Sequence, residues 1–89
     1  MKSYMIGYDL NRPGQNYSSL YEAIKGVGTW WHHLDSTWIV KSDLTAAQIR
    51  DRLSPHIDAN DELLVVGLTG EGAWRGFNDQ GSSWLKNNL

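Results

Sequence analysis

Polar and apolar positions along the chain follow two alternating periods, and the switches between them predict its elements. Tyr4-Met5-Ile6-Gly7-Tyr8-Asp9 predicts a first strand over about residues 4–9. Asn11-Arg12-Pro13-Gly14 breaks it at once, because Pro fixes φ and Gly admits positive φ. Tyr17, Leu20, Tyr21, Ile24 and Val27 then recur at helical spacing, predicting a helix over about 16–27. Asn16 is its expected cap, and Gly26 and Gly28 its expected terminators. Thr29 to Leu34 and Ser36 to Lys41 are dominated by aromatic and β-branched residues, which predicts two antiparallel strands turning around Leu34-Asp35.

The second helix, over about 45–57, has the clearest start signal. Thr45 and Gln48 stand at capping-box spacing, flanked by Leu44 and Ile49 at staple positions. Pro55 ends or kinks this helix. Ala59-Asn60-Asp61 is a polar turn, and the apolar run from Glu62 to Leu68 predicts a last strand over about 62–68. Ser82 to Lys86 fits a short terminal helix. The order β-α-β-β-α-β predicts a ferredoxin-like α+β fold over residues 1–89. Its core, about 4–68, is a four-stranded antiparallel sheet with both helices on one face, followed by a tail over 69–89.

Composition narrows the chemistry. The 89 residues include no cysteine, which removes disulfides and thiolate metal sites. No apolar run reaches the length of a membrane span and no secretory pattern is present, so a cytoplasmic location is expected. The net charge is −2 and no Lys/Arg cluster occurs, which counts against strongly charge-driven nucleic-acid binding. Five Trp is a heavy load for this length, and such residues favour interfaces. Two helices cover only one sheet face, so a homodimer is expected to cover the rest, with the tail on the partner or over the open face.

Asp9 is the first candidate for chemistry. A charged residue gains nothing by closing a hydrophobic strand, and strand ends present reactive groups from a rigid scaffold. The alternative is that Asp9 caps its own turn by accepting from backbone N–H groups. His32 and His33 point to opposite faces of their strand, so they do not chelate one ion together. One is expected on the exposed face and the other hydrogen-bonded on the helix-covered face. Trp30, Trp31 and Trp38 suit base stacking on an open sheet, but the accompanying basic and glycine signature is missing, so packing is the better account. Gly70-Glu71-Gly72 lacks the Lys of a phosphate loop.

Several local patterns together carry a family resemblance. They are the strand closing on Tyr8-Asp9-Leu10, the helix ending in Val27-Gly28, Ser36 opening the third strand, Asp43-Leu44-Thr45 before the second helix and Ala59-Asn60-Asp61-Glu62 before the fourth strand. Over roughly residues 4–68 the chain resembles the CRISPR-associated endoribonuclease/adaptor family, the VapD-type toxins and the short bacterial SinR-like proteins. The resemblance implies a homodimer in which Asp9 binds a divalent metal near the two-fold axis. It assigns catalytic positions to Asp9 and Ser36, with Mg²⁺ or Mn²⁺ as cofactor and RNA or DNA as partner. Asn11 and Arg12 are the candidate nucleic-acid contacts beside Asp9. Two departures stand out: Arg12 is the only basic residue near the site, and the Trp- and Gly-rich tail does not match the family's fifth strand. The expected function is a metal-dependent endoribonuclease. The alternative is a non-catalytic dimeric module that binds nucleic acid, or a protein partner through its aromatic tail.

Overall fold

The computed structural model describes residues 1–11 and 16–89. Its elements are β1 (Lys2–Asp9), α1 (Ser18–Lys25), β2 (Thr29–Leu34), β3 (Thr37–Ser42), α2 (Ala46–Leu53), β4 (Glu62–Gly67) and α3 (Asp79–Asn88). The four strands form one antiparallel sheet in the order β2-β3-β1-β4. β1 and β3 are therefore central, and β2 and β4 are edges. The architecture is α+β.

Side-chain alternation along the strands sorts the sheet into two faces. Tyr4 and Ile6 of β1 and Trp38 and Val40 of β3 meet Leu20 and Ile24 of α1. Ile49 and Leu53 of α2 join the same cluster, so both helices cover one face. Trp38, Ile6, Leu20, Ile24, Ile49, Leu53 and Val40 are the largest fully buried side chains. Helix boundaries follow local chemistry. Thr45 Oγ1 accepts from Gln48 N (3.1 Å) while Gln48 Oε1 accepts from Thr45 N (2.9 Å), the expected capping box. Pro55 tightens the end of this segment into a 3₁₀ turn, Ser54–His56, so α2 stops short of the expected residue 57. The first helix also starts later than expected. Asn16 Oδ1 accepts from Ser18 N (2.9 Å) ahead of it, while the boundary residue is Tyr17.

The second face of the sheet is covered in part by the chain's own tail. Leu85 of α3 and Trp31 of β2 are each 3% exposed, and Trp31 Nε1 donates to the Gly81 carbonyl (3.2 Å). Ser3 Oγ donates to the Asn88 carbonyl, fastening the other end of α3 to β1. This terminal helix is longer than the expected 82–86, because Asn78 supplies a cap by accepting from Gly81 N (2.8 Å). Gly28 is fixed by close approach: a Cβ there would lie 1.9 Å from the Lys41 carbonyl oxygen. Among the described residues no helix is long and apolar enough to cross a membrane.

Candidate functional site

Asp9 closes β1 opposite Glu62, the first residue of β4. Directly opposed residues share a face with Cβ atoms about 5 Å apart, so two exposed carboxylates stand side by side at one end of the sheet. They line an open groove with Gly7, Tyr8, Leu63 and Leu64. Among the described residues no hydrogen bond or ion pair engages the Asp9 carboxylate. The turn that it would cap runs through residues 12–14, which lie outside the described residues.

A structural role falls to Asp61. Its Oδ1 accepts from Asn11 N (2.8 Å) and its Oδ2 from Asp58 N (2.8 Å), and the Tyr17 hydroxyl lies 3.0 Å from both oxygens. One carboxylate thus ties the end of β1, the start of α1 and the turn before β4. Asn11 belongs to this knot, since its Nδ2 donates to the Asn60 carbonyl (2.9 Å). Its Nδ2 is thus engaged within the protein, while the residue itself is exposed. Arg12 lies outside the described residues.

Ser36 sits in the β2–β3 turn. Its carbonyl accepts from Tyr8 N (3.1 Å), which places its backbone one residue along from Asp9, and its side chain is exposed. The sheet thus brings Asp9, Glu62 and Ser36 to the same end. Tyr8 stands beside them: Trp38 Nε1 donates to its hydroxyl (3.0 Å), and that hydroxyl donates to the Asp35 carbonyl (3.4 Å). Burial raises the Tyr8 pKa above the ordinary value of 10.0, against the Trp38 hydrogen bond, which lowers it. The phenol is therefore neutral at physiological pH and acts as a hydrogen-bonding group.

The histidines divide between the two faces. His32 stacks on Trp38 (3.8 Å between centroids, 10° between planes) and its Nε2 is 3.2 Å from the Asp35 carbonyl. A carbonyl only accepts, so Nε2 carries the proton in that contact. His33, itself exposed, lies against Trp31 and Phe77 on the other face, which the tail partly covers as one of the expected arrangements. Neither Trp31 nor Trp38 is available to stack a base, since both are buried. Trp30 is 42% exposed, with Lys25 Nζ 5.1 Å above its ring.

Asp61 and Glu62 entered the sequence reading only as part of Ala59-Asn60-Asp61-Glu62, with no functional role of their own. Glu62 was legible in principle: if β1 and β4 are antiparallel neighbours, the last residue of one meets the first of the other. Among the described residues no cluster of three His, Asp or Glu side chains comes together. The donor set is a pair of carboxylates, which suits Mg²⁺ or Mn²⁺ retaining several waters rather than a fully protein-ligated ion. No protein-family model matches the chain, and no solved structure matches it.

Proposed function

We propose that the chain is a ferredoxin-like, homodimeric domain related to the CRISPR-associated and VapD-type proteins, that it binds Mg²⁺ or Mn²⁺ through Asp9 and Glu62, and that it cleaves RNA slowly. The observation that carries this reading is the cross-strand pair Asp9–Glu62. Like charges directly opposed destabilise a sheet, and Asp61 already performs the structural work that would otherwise account for a carboxylate at this turn. A bound divalent ion supplies Lewis-acid polarisation of a phosphodiester. Asp9 and Glu62 hold that ion at the strand ends. The Ser36 hydroxyl, on the adjacent turn, donates to a phosphate oxygen. For the dimer, β4 is an edge strand of sequence ELLVVG with no Lys, Arg or Pro to discourage pairing, and Leu64 is 54% exposed beside the groove.

A second reading, the non-catalytic binding module, is favoured by the absence of any Lys or Arg among the described residues lining the Asp9 groove. RNA cleavage assays with Mg²⁺ or Mn²⁺ separate the two, run on wild type and Asp9→Ala, with light scattering of the same preparations. Nuclease activity lost in a folded, dimeric Asp9→Ala supports the first reading. Equal cleavage by both proteins assigns any signal to another source, and no cleavage by either leaves the binding module.

A further inference from the structure

The tail that crosses the second sheet face leaves space beneath it. Gly70 and Gly76 take positive φ (94° and 91°), a left-handed geometry open to glycine without the steric cost of a Cβ. Between this segment and the sheet lies a cleft of about 310 Å³, at the small end of the range for small-molecule sites. Met5 and Ile39 form its floor, and Trp31, Trp74 and Phe77 stand around it. Trp31 and Phe77 meet edge to face, 4.9 Å between centroids. Both indole N–H groups are already satisfied: Trp31 Nε1 donates to the Gly81 carbonyl and Trp74 Nε1 to Ser82 Oγ, each at 3.2 Å. Neither indole N–H is therefore free for a ligand, and the half-buried Trp74 presents carbon surface to the cleft.

Charge enters this cleft at two points of opposite sign. Glu71 and Arg75 both line it and both are exposed. Among the described residues neither forms an ion pair, with the other or with any third group. A simple anion is attracted by Arg75 and repelled by Glu71, and a simple cation meets the reverse. A neutral apolar molecule leaves both charges unused. We infer that the cleft binds a free α-amino acid with an apolar ring or branched side chain. The side chain lies against the half-buried Trp74 and Phe77, with the buried Trp31 behind them, the carboxylate faces Arg75 and the ammonium faces Glu71. This site is independent of the Asp9 groove, with which it shares no lining residue.

Titration calorimetry tests the assignment, with the indole N–H resonances of Trp31 and Trp74 followed by NMR. The probes are L-phenylalanine, phenylpropionate (which lacks the ammonium) and phenethylamine (which lacks the carboxylate). L-Phenylalanine is expected to bind with a Kd on the order of 1 mM or tighter and to shift both indole resonances. Each one-charge analogue is expected to bind about fivefold more weakly, the scale of an exposed charge contact. Arg75→Gln should erase the preference over phenethylamine, and Glu71→Gln the preference over phenylpropionate. Ala73→Phe, at an exposed position lining the cleft, should block binding without touching the core. Asp9→Ala should bind as wild type does, so failure of the nuclease reading leaves this result standing. Equal binding of all three probes overturns the inference, as does tighter binding of a peptide ending in phenylalanine. Indole shifts that follow protein concentration alone would mean that a second copy fills the cleft. Absence of any shift at about ten times the expected Kd also overturns it.

Discussion

Two carboxylates at one end of the sheet, Asp9 closing β1 and Asp61 in the turn before β4, take separate roles. Asp61 accepts from Asn11 N and Asp58 N and sits against the Tyr17 hydroxyl, so Asp61→Ala strands donors from three segments. Bonds to a charged acceptor contribute about 1.5–3 kcal/mol each and do not add fully. A loss of about 2–4 kcal/mol on this basis is expected in urea unfolding. Asp9→Ala should change stability by less than about 0.5 kcal/mol in the same measurement, as for a surface residue outside any such feature. Equal losses in both variants would contradict this division. Tyr8 gives a pH signature. Its folded-state pKa is raised by burial, so the folded protein holds that proton more tightly than the unfolded chain. The corresponding stability is complete below the unfolded pKa of about 10 and is lost as pH rises through the higher folded value. Denaturant midpoints measured across alkaline pH should fall more steeply for wild type than for Tyr8→Phe, and parallel curves would contradict it.

Elements with strong local signals were legible in the sequence, and those set by long-range packing were not. Thr45 and Gln48 cap a helix through atoms three residues apart, so their pattern needed no knowledge of the fold. α1 ends at Lys25 with Gly26 as its cap, short of the expected Val27, and Gly28 is required instead by the Lys41 backbone lying against it. The terminal helix was expected but placed too short, because its start depends on Asn78 and its register on Trp31 from a distant strand. Asp9 was legible as a strand-end carboxylate, whereas Glu62 became part of the site only through the pairing of β1 with β4. The tail's own coverage of the sheet also alters the argument for a partner, since part of the face in question is already occupied. Leu85 anchors that coverage at 3% exposure. Leu85→Ala should lower stability by about 2–5 kcal/mol and raise the solvent exposure of Trp31, read by the emission maximum of tryptophan fluorescence. A shift without loss of stability would mean that α3 rests on the sheet without stabilising it.

At the scale of the whole molecule, the two candidate chemistries share the sheet face opposite α1 and α2 but occupy different parts of it. The Asp9–Glu62 pair and Ser36 occupy one end of the strands, while the aromatic cleft lies under the tail. The helix-covered face holds most of the buried core. The central claim is that the opposed carboxylates form a divalent-cation site. Paramagnetic Mn²⁺ titrated into isotopically labelled protein tests it most directly, since broadening of amide resonances reports distance from the ion. The amides of Asp9, Glu62 and their strand neighbours should broaden first, excess Mg²⁺ should reverse the effect, and Asp9→Asn should abolish it. Broadening centred elsewhere, or unchanged in Asp9→Asn, would contradict the account.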